Sequence, residues 1–172
     1  MNARPCSIIL SKEAFKFSSA HMTVFPDGSK EALHGHNYQV EVEIQLLDTS
    51  LNQLISFSVF KEQIKQICQQ WDEKILIAEK CPFFQVRSQS AAEFEFILCQ
   101  KRYLLPADEV VLLPLDNVTT ETLAHEFCDR LVQVFESNRL FAGVSGLKVR
   151  IDESRGQGAS VSWAHSSRSS RG

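Results

Sequence analysis

The chain predicts an α+β fold, with strands in runs and helices packed on one face of the sheet they form. Three observations predict it. From His36 to Leu46, the apolar residues Tyr38, Val40, Val42, Ile44 and Leu46 alternate with Asn37, Gln39, Glu41, Glu43 and Gln45, the period-two pattern of a half-buried strand. Phe57, Phe60, Ile64, Ile67 and Trp71 fall at three- and four-residue steps, and Leu123, Phe127, Leu131 and Phe135 repeat every four, so two helices each carry an apolar stripe. Leu147 to Glu153 and Ala159 to Trp163 alternate again and supply two late strands.

The remaining elements follow in order. Phe15 and Phe17 flank Lys16 and lead through Ser18-Ser19-Ala20 to His21, which predicts a strand ahead of the long one. Pro26-Asp27-Gly28 marks a turn between the two. Past Asn117, Thr119 or Thr120 suits a helix N-cap and Glu121 suits the first turn. Arg155-Gly156-Gln157-Gly158 turns the chain between the last two strands. In the middle region, Phe94 to Arg102 and Val110 to Leu113 predict an extra hairpin around Pro106-Ala107-Asp108. The expected order is β-β-α, the middle region, then α-β-β. One domain is expected over 1–165, and the SSRSSRG tail at 166–172 is too polar to pack and reads as disordered.

Composition narrows the class. With 172 residues, 44% of them hydrophobic, the chain can bury one core. A net charge of −3 offers no electrostatic footprint for nucleic acid or an anionic membrane. No apolar h-region follows Met1, and no stretch reaches the roughly 18 apolar residues of a membrane span. The five cysteines, Cys6, Cys68, Cys81, Cys99 and Cys128, are odd in number and form no CxxC pair. Reduced thiols in a cytoplasmic protein are therefore expected rather than a disulfide framework.

The chemistry concentrates in the histidines. His34 and His36 flank Gly35, and in a strand residues two apart share a face. They fall on the face of Tyr38, Val40 and Val42, while His21 shares the parity of Phe15, Phe17 and Ser19. Two neighbouring strands can so aim three imidazoles at one point, and three neutral imidazoles with one open position form a common catalytic zinc site. Iron or nickel also accepts three histidines; hydrogen-bonded core histidines are the alternative, which an HxH inside an alternating strand disfavours. Glu31, three residues before His34, suits a fourth ligand, a partner of a ligand, a general base, or a solvated loop position. Glu153 shares the parity of Leu147, Val149 and Ile151, which sends its carboxylate inward unless the strand end turns to solvent. A buried carboxylate suits an amino-pyrimidinone ring, whose adjacent N–H and NH₂ offer two parallel hydrogen bonds. Asp72-Glu73, at the end of the first helix, suits acid/base work or a solvated helix end.

Phe17-Ser18-Ser19-Ala20-His21, Glu31-Ala32-Leu33-His34-Gly35-His36-Asn37-Tyr38, Thr119-Thr120-Glu121 and the strand ending in Glu153 together resemble the 6-pyruvoyl-tetrahydropterin synthase / 6-carboxytetrahydropterin synthase family. The resemblance runs from about residue 10 to 163, outside the middle region. It implies a tunnelling fold, a β-β-α-α-β-β subunit whose trimers close a barrel and stack in pairs as a homohexamer, with sites between subunits. It implies Zn²⁺ on His21, His34 and His36, a pterin-anchoring Glu153, and Thr119, Thr120 and Glu121 near the ring.

Two departures bear on the reaction. A typical synthase carries a catalytic cysteine a few residues before HGH, where this chain has Lys30 and Glu31. A variant group of the family has this ExxHGH pattern, with glutamate as its base. The activity implied for that group is cleavage of the side chain of dihydroneopterin triphosphate to 6-hydroxymethyl-dihydropterin, a step toward folate. The family's Asp-His pair is matched at Asp72, but Glu73 stands where the histidine belongs; His125, one turn after Glu121, is a weaker substitute. The segment from Glu73 to Thr119 is longer than the family's by roughly thirty residues, which places an insertion at about 80–113. The expected function is a zinc-dependent lyase acting on a 6-substituted dihydropterin, with Glu31, Asp72 and Glu73 as catalytic candidates. The alternatives are a 6-pyruvoyl- or 6-carboxytetrahydropterin synthase, the latter of the queuosine route, or a non-catalytic pterin- or zinc-binding homologue.

Overall fold

The longest strand organises the molecule. In the computed structural model, which describes residues 6–47, 56–138, 140 and 143–164, strand β3 covers His34–Leu46. Its even-numbered residues from Tyr38 to Ile44 are buried, while Gln45 on the opposite face is exposed, as the alternation predicts. Two strands share one edge of β3. Strand β1, Cys6–Leu10, pairs antiparallel with its far end, Cys6 opposite Leu46 and Leu10 opposite Val42. Strand β2, Lys16–His21, pairs antiparallel with its near end, Lys16 opposite Gln39 and His21 opposite His34.

Helix α1 covers Phe57–Trp71. Strand β4, Lys74–Ala78, runs parallel to β2. Strands β5 (Phe84–Gln89), β6 (Glu93–Leu98) and β7 (Lys101–Pro106) form a separate antiparallel sheet in that order. A 3-10 turn, Ala107–Glu109, returns the chain to strand β8, Val110–Leu113, parallel to β4. Helix α2 covers Thr120–Ser137, and β9 (Val144–Ser154) and β10 (Gln157–Ala164) close the chain as a hairpin. The large sheet has the order β10-β9-β3-β2-β4-β8, with β1 also on β3. It is antiparallel from β10 to β2 and parallel from β2 to β8.

Both helices cover the apolar face of this sheet, α1 over β2 and β4, α2 over β9 and β10. Phe60 of α1 meets Phe135 of α2 at 4.8 Å between ring centroids, and Trp71 meets Phe127 at 5.6 Å. Val40, Val42, Ile44, Leu147, Val149 and Ile151 lie beneath them at 0% exposure. The opposite face of β3 and β9 is polar, with Glu41 across from Arg150 and Glu43 across from Lys148, pairs of opposite charge that favour this register. No described helix is long and apolar enough to cross a membrane.

The middle region departs from expectation. The hairpin expected from Phe94–Arg102 and Val110–Leu113 does not form. The run from Phe94 to Arg102 breaks at Cys99 and Gln100, whose positive φ of 49° and 64° makes a tight reversal. The two halves become β6 and β7, and Val110–Leu113 joins the large sheet instead. Strands β1, β4 and β5 are additions to the expected set. The polar tail at 166–172 lies outside the described residues.

All five cysteines are free thiols; Cys6 is exposed, and Cys68, Cys81 and Cys128 are buried. Burial first, then the nearby carboxylates of Asp72 and Asp129, push Cys68 up to about 12 and Cys128 up to about 11. A thiol is nucleophilic only as thiolate. At pH 8, iodoacetamide should therefore modify Cys6 readily and leave Cys68 and Cys128 unmodified until urea unfolds the chain, read by peptide mass spectrometry.

Candidate metal centre and binding cleft

The register of β2 on β3 creates the site. His21 lies opposite His34, and Ser19 lies opposite His36. Gly35 permits the two strands to come this close, since a Cβ there would sit 3.0 Å from the Ser19 carbonyl oxygen. The imidazoles converge: ring centroids of His21 are 4.6 Å from His34 and 5.4 Å from His36, and one ligand atom of each lies within 4.8 Å of the others. The structure thus brings together the three histidines singled out by spacing.

Backbone carbonyls fix the tautomers of two of them. His21 is 3% exposed, and its Nδ1 lies 3.0 Å from the Val118 carbonyl oxygen. A carbonyl only accepts, so Nδ1 carries the proton and Nε2 presents its lone pair. That Nε2 is buried without a hydrogen-bond partner. Burial above all, then the neighbouring His34 and His36, hold His21 below the usual histidine range, against the opposing pull of the Val118 carbonyl. His34 repeats the pattern, with Nδ1 donating to the Ala32 carbonyl at 2.8 Å. An imidazole held through Nδ1 with Nε2 left over is the kind of donor a zinc-type ion takes. The orphaned Nε2 of His21 is the observation by which these residues fit a metal.

The histidines open into a cleft of about 320 Å³ lined also by Thr23, Glu31, Thr119, Thr120, Glu121, Glu153, Gln157 and Gly158. Glu31 stands at its half-exposed side, its carboxylate 3.8 Å from His34 Nε2. Glu153 is held from two sides: the Thr120 hydroxyl donates to Oε2 at 2.5 Å, and the Gln157 amide donates to Oε1. Thr119 is the N-cap of α2, its hydroxyl accepting from Thr122 N–H while the Thr122 hydroxyl accepts from Thr119 N–H. The Thr119 hydroxyl also pulls the Glu121 carboxyl below its ordinary range. No cysteine lines this cleft.

Asp72 and Glu73 do not line this cleft. Asp72 ends α1, and its carboxylate accepts from Ser18 N–H at 2.7 Å. Glu73 adopts a positive φ of 57° and donates its N–H to the Ser18 carbonyl at 2.7 Å. Glu73 lines a second groove with Ser18, Asn37, Lys74 and His36, which borders both. His125 is exposed on α2 and does not line the cleft.

Sequence reasoning did not single out Asn117, Thr23 or Gln157. Asn117 accepts from Val24 N–H at 3.0 Å and donates to the Val24 carbonyl at 2.9 Å, tying the β2–β3 loop to the start of α2. It also accepts from Val118 N–H, beside the carbonyl that holds His21. The only signal for it was an amide side chain just ahead of the helix cap. Gln157, in the Gly-rich turn four residues past Glu153, was readable as a hairpin neighbour.

Comparison with known proteins comes to the same place. The family model for 6-pyruvoyl tetrahydropterin synthase matches residues 9–163. A Methanocaldococcus jannaschii protein provisionally named 6-carboxy-5,6,7,8-tetrahydropterin synthase is 29% identical over 147 residues, covering 84% of this chain and 87% of that one. The crystal structure of 6-pyruvoyl tetrahydropterin synthase from Plasmodium vivax superposes with a TM-score of 0.84 at 23% identity, over 94% of this chain and 99% of that one. A second structure of the P. vivax protein, with TM-score 0.84 and 22% identity over the same shares, has alanine in place of a glutamate described as catalytic.

Asn117→Ala removes partners from the Val24 and Val118 N–H groups. It should destabilise the fold by about 1–3 kcal/mol, seen as a lower urea midpoint with an unchanged slope.

Proposed function

Because the chain belongs to the 6-pyruvoyl tetrahydropterin synthase family, lyases that process pterin side chains, we propose that it cleaves the side chain of a 6-substituted dihydropterin such as dihydroneopterin triphosphate, with Glu31 as base. The observation that carries this reading is that Glu31 opens on the same cleft as the three histidines and Glu153, and no cysteine does. The glutamate described as catalytic in the P. vivax protein supports it.

Each group then has a task. Glu153, oriented by Thr120 and Gln157, accepts the paired N–H donors of the pterin ring and fixes the side chain's position. Thr119 and Glu121 border the ring. His21, His34 and His36 would hold a zinc ion, which supplies Lewis acidity toward side-chain oxygens. Glu31 takes the proton of the hydroxyl on the second side-chain carbon. That oxygen becomes a carbonyl as the bond between the first and second side-chain carbons breaks. The electron pair passes into the conjugated ring imine, and the first carbon regains a proton. The products are 6-hydroxymethyl-dihydropterin and the two-carbon aldehyde that retains the triphosphate. Neither Asp72 nor Glu73 lines the cleft within its own chain, and this scheme assigns them no proton step.

The second reading is a 6-carboxytetrahydropterin synthase, the name given to the M. jannaschii relative. The absence of a cysteine before HGH favours the first. A homohexamer in the cytoplasm completes the proposal. The open edges of β10 and β8, each paired on one side among the described residues, suit strand pairing between subunits.

Zinc-loaded protein incubated with dihydroneopterin triphosphate should yield 6-hydroxymethyl-dihydropterin by mass spectrometry. Glu31→Gln should lower the rate by about a hundredfold or more at unchanged zinc content. A carboxy product from the unmodified protein would select the second reading. His21→Ala should lose the ion, read by elemental analysis; one zinc per chain in that variant refutes the metal assignment.

A further inference from the structure

The β5-β6-β7 sheet packs against the loop that carries Glu31. That loop, between β2 and β3, is a small hairpin of its own: Val24 bridges Lys30, Phe25 N–H donates to the Ser29 carbonyl, and Gly28 N–H donates to the Phe25 carbonyl. Its tip needs glycine on two counts. Gly28 has a φ of +80°, and a Cβ there would lie 3.0 Å from the Phe83 ring, just ahead of β5. Further along, the Lys30 ammonium sits 5.3 Å from the centroid of the Tyr103 ring on β7 and 2.9 Å from the Glu31 carbonyl oxygen. Glu31 N–H donates to the Thr23 carbonyl at 3.0 Å. The peptide groups on both sides of Glu31 are therefore held, and the hold on its carbonyl passes through Lys30 to an aromatic face. Tyr103 in turn stacks on Phe96, in the core of the small sheet, at 5.0 Å and 12° between planes.

We propose that the small sheet is a positioning device for Glu31, acting through Tyr103 and Lys30 as positioning residues. The inference rests on the reading of Glu31 as the base. A carboxylate on a loop works as a base only if its reach to the substrate hydroxyl is held within a few tenths of an ångström. Glu31 leaves β2 by a twelve-residue connection, and the clasp on its carbonyl shortens the free length to almost nothing.

Lys30→Met and Tyr103→Leu test this beside two conservative variants, Lys30→Arg and Tyr103→Phe, and Glu31→Gln. Turnover of dihydroneopterin triphosphate and hydrogen exchange of the 23–31 peptide are the two readouts; the second needs no substrate. Lys30→Met and Tyr103→Leu should each lower kcat about fivefold, leave KM and zinc content within about twofold, and speed exchange of the peptide. Lys30→Arg and Tyr103→Phe should match the unmodified protein, and the double variant Lys30→Met/Tyr103→Leu should be no slower than either alone, because both break one chain of contacts. Normal exchange and normal kcat in Lys30→Met and Tyr103→Leu would overturn the proposal, as would losses that multiply in the double variant. If Glu31→Gln is inactive while those two variants are normal, the positioning role alone falls. If Glu31→Gln turns over normally, the base falls and the positioning role with it.

Discussion

Everything at the site depends on the register of β2 against β3. Because side chains alternate, a slip of one residue would turn the β2 side chains of the paired face to the opposite side. Several contacts hold the register. The Gln39 amide donates to the carbonyls of Lys12 and Phe15 at 2.9 and 3.0 Å. Ser18 Oγ donates to Asn37, and Ser19 Oγ donates to the Trp71 carbonyl at 2.5 Å. Asp72 and Glu73 grip the Ser18 backbone from the end of α1. The Asp72 carboxylate and the Glu73 backbone N–H thus help to align the strand that delivers His21.

The start of α2 assembles the rest. Four consecutive residues each reach a different part of the site. Asn117 ties down Val24, the Val118 carbonyl sets the tautomer of His21, Thr119 engages Glu121, and Thr120 orients Glu153. A helix N-terminus leaves backbone donors unsatisfied, and here the capping side chains turn that end into the wall of a cleft. The site is a meeting of two strands, one helix start and the end of β9, so no single segment contains it.

Much of this was legible from local pattern. His21, His34 and His36 were readable because period two is strict and because a polar residue recurring on an apolar face is conspicuous. Both helices were readable from their stripes. Glu153 was readable from parity alone, though not the Thr120 and Gln157 that hold it. The middle region was not legible for identifiable reasons. Lys74–Ala78 is a short apolar run whose parallel pairing leaves no alternation to read, and Val110–Leu113, expected as a strand, carries no mark of its parallel partner. Gln85, Val86, Arg87, Ser88 and Gln89 are all exposed, so β5 carries no burial signal. The reversal at Cys99 and Gln100 uses neither glycine nor proline, the residues by which turns are recognised. Pro106-Ala107-Asp108, which had that signature, instead links one sheet to the other.

The central pairing of β3 with β9 has a kinetic consequence. Gln39 meets Asp152 and Leu46 meets Val144, partners separated by roughly a hundred residues of chain, the kind of contact that folds slowly because its loop must close first. On the ribosome, β3 emerges with Val40, Val42 and Ile44 on one face and waits for almost the whole remaining chain before β9 covers its second edge. The strand that bears two of the three histidines is therefore the one most exposed to mispairing in the nascent state. Its alternate face of Glu41 and Glu43, unneutralised until Arg150 and Lys148 arrive, gives that waiting strand a repulsive charge against copies of itself.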